Sequence, residues 1–227
     1  MKNIKLIQGD CLNIIDELAE QGVVIDAIVT DPPFNIGYNY KTYNDKMKED
    51  EYFKMLAGIV RDKVAVVVHY PEQLHRLSIE LGYAPTKVVS WVYNSNTAKQ
   101  HRDIAFYNIK PDFRKVGQPY KNPKDKRIAK RIAEGKMARL YDWWEINQVK
   151  NVSKEKTEHP CQMPIKIMEN IVGLLPDDFT ILDPFMGSGS TGVACKKLNR
   201  KFIGIELDEM YFNIVKCRIK ETIVEKR

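Results

Sequence analysis

Apolar residues fall along the chain in two patterns. Short, nearly unbroken runs occur at 4–7, 24–30, 64–68, 87–92, 179–182 and 201–206. Runs of this length between polar or turn residues predict strands, and the uninterrupted Val64-Ala65-Val66-Val67-Val68 fits a parallel strand covered on both faces. Elsewhere the spacing is helical. Leu12, Ile15, Leu18 and Ala19 form one stripe; Ile165, Met168, Ile171, Val172 and Leu175 form a second. Between Asp208 and Lys220 a third face carries Tyr211, Ile214, Val215 and Ile219. Strands alternating with helices predict an α/β fold built on a mostly parallel sheet.

Two of the predicted strands end in chemistry. Asp31-Pro32-Pro33-Phe34 follows the run at 24–30 directly, which puts a carboxylate, two rigid prolines and an aromatic ring at the carboxyl end of a buried strand, where open α/β sheets keep their sites. A planar amine on a flat ring suits this group. Asp31 and the Pro32 carbonyl can each accept one N–H, and Phe34 can stack on the ring. An Asp N-cap followed by proline at the first helical turn explains the same residues without function. The second cluster runs Asp183-Pro184-Phe185-Met186-Gly187-Ser188-Gly189-Ser190-Thr191-Gly192, from the strand at 179–182 into a helix. Glycines 187, 189 and 192 fit a tight turn that lets backbone amides approach an anionic ligand. The next strand ends in Glu206, an acid placed to grip a ribose diol.

A dinucleotide oxidoreductase uses the same half-sheet, but such chains usually open with the glycine turn, and here about 35 residues follow Gly192. Joining the tail helix to the strand at 4–7 gives a β-helix-β crossover, as in a circularly permuted α/β domain. With Gly9-Asp10-Cys11-Leu12 and His159-Pro160-Cys161-Gln162-Met163-Pro164, the chain resembles the permuted, beta-class DNA amino-methyltransferases over nearly its whole length apart from about residues 95–140. That resemblance implies a Rossmann-like methyltransferase fold with a circularly permuted motif order and a small inserted target-recognition region, one catalytic domain over 1–227 with the insertion at 95–145. It also implies S-adenosylmethionine as cofactor and double-stranded DNA as substrate, with methylation of a flipped adenine at N6, because the Asp form of the catalytic motif goes mostly with adenine. Asp31, Pro32, Pro33 and Phe34 become the catalytic motif. Asp10, Cys11, Asp31, His159, Asp183, Pro184, Phe185, Gly187, Ser188, Gly189, Ser190, Thr191, Glu206 and Leu207 become the cofactor site. Met163 stands where the family commonly has Lys, so the glycine-turn amides have to serve the cofactor carboxylate.

Charge sharpens this picture. Between Lys110 and Arg139 eleven bases face three acids, a net +8, while the whole chain carries +6. A basic stretch confined to one insertion is the footprint of a phosphate backbone. Ile128, Ile132 and Leu140 fall near helical spacing, predicting a basic amphipathic helix over 123–140 whose Lys126, Arg127, Lys130 and Arg131, with Lys115 before it, contact DNA. Tyr38, Tyr40 and Tyr43 fit either a cover over an extruded base or a plain surface. Trp143 and Trp144 are expected to pack rather than stack.

The 227 residues suffice for one sizeable core. No leader-like start or membrane-length apolar run is present, and Cys11, Cys161, Cys195 and Cys217 are scattered, so cytoplasmic, reduced thiols are expected. His69, His75 and His101 lack ligand spacing, and no metal is expected. Pro160-Cys161 and Glu169-Asn170 imitate the nucleophile and acid of cytosine C5 methyltransferases, but the Glu falls eight residues after the Cys and the motif order is wrong for that family. Cytosine N4 methylation, protein-glutamine methylation and a non-catalytic DNA-binding module are the alternatives. A homodimer and a partner restriction endonuclease are left open.

Overall fold

The computed structural model describes residues 3–40 and 44–224. The elements follow in order: β1 (Ile4–Gln8), α1 (Cys11–Glu20), β2 (Ala27–Thr30), α2 (Glu49–Val60), β3 (Val64–His69), α3 (Pro71–Leu81), β4 (Lys87–Val92), β5 (His101–Tyr107), β6 (Gly117–Gln118), α4 (Lys126–Ala133), β7 (Ala138–Arg139), β8 (Trp143–Glu145), α5 (Ile165–Leu174), β9 (Thr180–Asp183), α6 (Ser190–Lys197), β10 (Lys201–Glu206) and α7 (Glu209–Glu221). Eight strands form one sheet in the order β1-β10-β9-β2-β3-β5-β4-β8. The five from β1 to β3 are mutually parallel, β5 runs antiparallel to both β3 and β4, and β8 is parallel to β4.

Strand alternation divides the core between the two faces. Ala27, Val29, Val66 and Val68 pack with α5, α6 and α7, whereas Ile28, Ala65 and Val67 pack with α1, α2 and α3. This three-layer α/β sandwich is the architecture that the sequence resemblance implies. β1 lies beside β10 with Ile4 opposite Phe202 and Gln8 opposite Glu206, and α7 packs on both strands. The first and last strands are therefore neighbours, as the permuted order requires.

Several elements depart from the sequence reading. β2 begins only at Ala27; Val24 is exposed, and Asp26 instead accepts the Thr180 amide at 2.7 Å, tying the entrance of β2 to β9. The buried stripe of α1 is Cys11, Ile14 and Leu18, with Leu12 exposed, because Asp10 caps the helix and starts the stripe at Cys11. α4 spans eight residues rather than 123–140: Gly135 turns left-handed with φ +72° directly after the Glu134 C-cap, and Leu140 is buried beyond the turn. β5 and β8 belong to the main sheet, so the expected insertion at 95–145 contributes two of its strands and is not separate from it.

Candidate active site

Asp31-Pro32-Pro33-Phe34 leaves β2 in the middle of the sheet, beside the end of β9. Asp31 Oδ1 is buried and has no hydrogen-bond partner among the described residues, so an acceptor faces inward unused. Burial pushes the Asp31 carboxyl up to about 7; the Arg102 guanidinium pulls it down and Asp183 adds to the rise. The rest of the motif is braced from behind. The Tyr70 amide donates to His69 Nδ1 at 3.1 Å, which assigns the proton to Nε2 and makes Nε2 the donor to Tyr52 Oη at 3.0 Å. The Tyr52 hydroxyl then donates to the Pro33 carbonyl at 2.6 Å. Burial holds His69 near 3, neutral at any ordinary pH, which suits this role. The His69 ring stacks on Phe34 at 4.4 Å, Tyr70 meets Phe34 edge-on at 4.9 Å, and Gln73 donates to the Phe34 carbonyl.

The glycine turn closes the other end of a cavity of about 440 Å³. Gly187 and Gly189 adopt φ +50° and +78°. A Cβ on Gly189 would sit 2.6 Å from Val215, and one on Gly187 3.1 Å from His159 Nε2, so glycine is required by space as well as by angle. Asp183 is consumed in shaping the turn: it accepts the Phe185 amide at 3.2 Å and the Thr191 hydroxyl at 2.6 Å. Glu206 accepts the Gly187 amide at 2.8 Å and the Asp208 amide at 2.9 Å, and burial pushes it up to about 7. Each of its oxygens keeps a second lone pair toward the cavity that it lines. His159 is buried against Tyr211, at 4.4 Å, with Nδ1 lacking a partner among the described residues. Met163 is buried, and its carbonyl accepts the Ser190 hydroxyl. α7 braces the turn from outside the cavity. Arg218 donates to the Ser188 carbonyl at 2.8 Å and to the Ser190 hydroxyl at 3.1 Å, with Glu155 3.6 Å away.

One cavity thus collects Asp10, Cys11, Asp31, Pro32, Pro33, Phe34, His159, Asp183, Pro184, Phe185, Gly187, Ser188, Ser190, Thr191, Glu206 and Leu207. Gly189 lies behind the wall as the cap of α6. Asp10 caps α1 while facing the same space. Tyr38 and Tyr40 line the mouth, 4.9 Å apart; Tyr43 falls outside the described residues. Cys161 also lines the cavity, but Glu169 pairs with Lys197 elsewhere, so the two parts of the imitated C5 motif are not brought together. Of the insertion expected at 95–145, Arg102 lines the cavity, whereas no residue of 108–142 does. Lys126, Arg127, Lys130 and Arg131 are all exposed on α4, whereas Lys115 is turned to the body, donating to the Leu175 carbonyl at 3.2 Å. Trp144 packs in the core; Trp143 is exposed under Lys121, 5.0 Å from its ring. The residues that sequence reasoning missed are Tyr52, His69, Tyr70 and Arg102. A polar run, Lys99-Gln100-His101-Arg102, gives no hint of a strand, and only its antiparallel register beside β3 and β4 carries Arg102 to Asp31.

The DNA methylase family model N6_N4_Mtase matches residues 25–217, taking in both motifs and every cavity-lining residue except Gly9 to Leu12. The chain belongs to this DNA methylase family. Among curated proteins this DNA methylase is similar to the Type II methyltransferase M.BglII of Bacillus subtilis, 28% identical over 92% of this chain and 67% of that protein. The DNA adenine methyltransferase YhdJ of Escherichia coli K12 is 26% identical, with coverages of 92% and 80%. Among solved structures, the M1.HpyAVI complex with SAM superposes with a TM-score of 0.65 at 25% identity, over 95% of this chain and 98% of that one. Among the described residues, no group of three or more His, Cys, Asp or Glu side chains is placed to hold a metal ion, and no helix is long and apolar enough to cross a membrane.

Proposed function

We propose that this DNA methyltransferase methylates the exocyclic N6 amine of an adenine flipped out of duplex DNA, with S-adenosylmethionine as donor. The observation that carries the reading is the unpartnered Asp31 Oδ1, buried at the end of β2 in a cavity that also holds the glycine turn and Glu206. The adenine-methylating relative YhdJ and the Asp form of the motif favour adenine over the cytosine amine, for which the family also has room. The residues present fit the cofactor. Glu206 can take the ribose hydroxyls, Asp10 and Cys11 flank the adenine end, and the turn at 187–191 with His159 receives the methionine end. When bound, S-adenosylmethionine supplies a methyl group on a cationic sulfur.

The chain's own residues do the rest by orientation and electrostatics. Asp31 Oδ1 accepts one amine hydrogen and the Pro32 carbonyl the other. The Pro33 carbonyl is already taken by Tyr52, so the two proline carbonyls have separate duties. Accepting both hydrogens draws the amine nitrogen from planar toward tetrahedral geometry, which weakens conjugation of its lone pair with the ring and aims that pair out of the ring plane. Phe34 offers its face to the base. Flipping costs a few kcal/mol, which phosphate contacts from the exposed bases of α4 offset. The Type II relatives make a partner restriction endonuclease part of the proposal. Incubating the protein with methyl-labelled cofactor and duplex DNA, then separating nucleosides, tests it: label in N6-methyladenine is expected. Label in N4-methylcytosine instead would overturn the adenine assignment, and no label in DNA would overturn the reading altogether.

A further inference from the structure

Arg102 reaches the cavity from β5, which neither motif contains. Its Nη1 lies 3.8 Å from Asp31 Oδ2, and its guanidinium carbon sits 4.6 Å over Phe34, 5.4 Å over Trp91 and 5.6 Å over Tyr70. Nη1 also approaches Met163 Sδ at 3.7 Å. The side chain is therefore fixed by stacking on rings and not by a bidentate grip on the carboxylate. That distinction matters chemically. A fork-to-fork pair consumes both carboxylate oxygens, whereas here the positive charge approaches Oδ2 and Oδ1 stays unpartnered. The other titratable groups near Asp31 do not help it ionise. Asp183 from β9 repels it; Tyr52 from α2, Tyr93 after β4 and Cys161 before α5 are each raised by burial and by the charge on Asp31; and His69 from β3 is held neutral. Arg102 is the cation of the set.

We propose that Arg102 is a positioning residue for Asp31, keeping the carboxylate anionic without a bidentate grip, so that the group keeps an unused acceptor for an N–H of the substrate amine. The proposal rests on the methyl-transfer reading of the same cavity and adds a residue to it.

The test measures ionisation and turnover separately. Protein labelled with ¹³C at aspartate carboxyls is titrated by NMR without DNA, with Asp31→Asn identifying the Asp31 resonance. Arg102→Met and Arg102→Gln are expected to raise the Asp31 midpoint by about one pH unit or more, and Arg102→Lys by clearly less. Calorimetry of cofactor binding checks that each variant is folded. Single-turnover methylation at saturating cofactor should show the acid limb of the neutral variants displaced upward by the same amount, with most of the rate recovered at alkaline pH and with rescue in Arg102→Lys. An unmoved Asp31 midpoint in both neutral variants, or an equal rate loss at every pH, overturns the proposal. The NMR arm needs no substrate, so absence of DNA methylation by the wild-type protein would count against the DNA reading and leave the Arg102 result standing.

Discussion

Asp31 is a carboxylate that folding makes harder to ionise. Its ordinary value is 3.8, and burial lifts it to about 7 against the pull of Arg102. Only the anion accepts at both oxygens, so kcat/KM for methyl transfer should fall about tenfold per pH unit below pH 7, a limb set by the free enzyme. Linkage gives stability the opposite slope. The folded chain binds this proton more tightly than the unfolded chain does, so the stabilising contribution is fully present below the unfolded value and is lost as pH rises through about 7. Asp31→Asn fixes the neutral form, and its thermal midpoint relative to wild type should be higher at about pH 8 than at about pH 5.5. A difference that does not change with pH would show that Asp31 is not ionising in this range. Asp31→Ala should abolish transfer while leaving cofactor affinity measurable, because the turn at 187–192 and Glu206 lie on other strands. A rate within about tenfold of wild type, equivalent to about 1.4 kcal/mol in barrier, would remove Asp31 from the chemistry. At this scale the sequence is informative where function is contiguous. Asp31 to Phe34 and Asp183 to Thr191 are consecutive residues with unusual chemistry, and 16 of the expected site residues line one cavity. Arg102 was hidden, since a lone Arg in a polar run acquires meaning only from the strand register that places it.

The motif's rigidity comes from neighbouring elements. α2 supplies Tyr52 and β3 supplies His69, and together they hold the Pro33 carbonyl and one flank of the Phe34 ring. Two prolines restrict φ, but they do not aim a carbonyl in space; a hydrogen bond from a buried hydroxyl does. Tyr52→Phe leaves the Pro33 carbonyl and the His69 Nε2 proton without partners, a cost of about 1–3 kcal/mol for each buried group left unsatisfied. The expected outcome is a lower thermal midpoint with transfer slowed about tenfold or more and cofactor affinity nearly unchanged, measured by calorimetry and single turnover. Equal losses in cofactor affinity and rate would mean that the brace supports the whole cavity and not the motif alone. Periodicity marks the strands at 64–68, 87–92 and 201–206 almost to the residue, because β3 and β10 are buried on both faces and β4 on the face that Val89 and Trp91 share. It overruns at α4, where Ile128 and Ile132 look continuous with Leu140 although Gly135, whose left-handed φ ends the helix, lies between them. It also assigns no role to β5, whose polar first residues His101, Arg102 and Asp103 mask its buried second half.

Across the whole molecule, charge and chemistry are kept apart. The cavity is built mostly at the parallel half of the sheet, with Arg102 added from β5, whereas the net +8 lies on a segment that supplies no cavity residue. Such separation lets affinity for a polyanion change without altering the methyl-transfer geometry. α4 makes the case most directly: Asp125 caps it, accepting the Arg127 and Ile128 amides, none of its residues is buried, and Lys126, Arg127, Lys130 and Arg131 stand exposed within two turns. A helix with no buried residue gains little from packing, so its retention is explained better by what it touches than by what it stabilises. If it lies along the phosphate backbone, each neutralised phosphate contributes about −0.9 to the slope of log affinity against log salt on duplex DNA. Replacing the four bases with Ala should then flatten the slope by about one unit or more, weaken cognate and scrambled duplexes alike, and leave cofactor affinity and the thermal midpoint unchanged. A base-reading contact would behave differently, costing about 1–3 kcal/mol on the cognate site alone. Lys115 supplies the internal control. It is bonded to the Leu175 carbonyl and 3.8 Å from Asp177, so Lys115→Ala should disturb stability more than the salt slope. Binding measured across a salt series separates these outcomes, and a quadruple variant with unaltered slope and affinity would make α4 a solvated surface helix with no part in holding DNA.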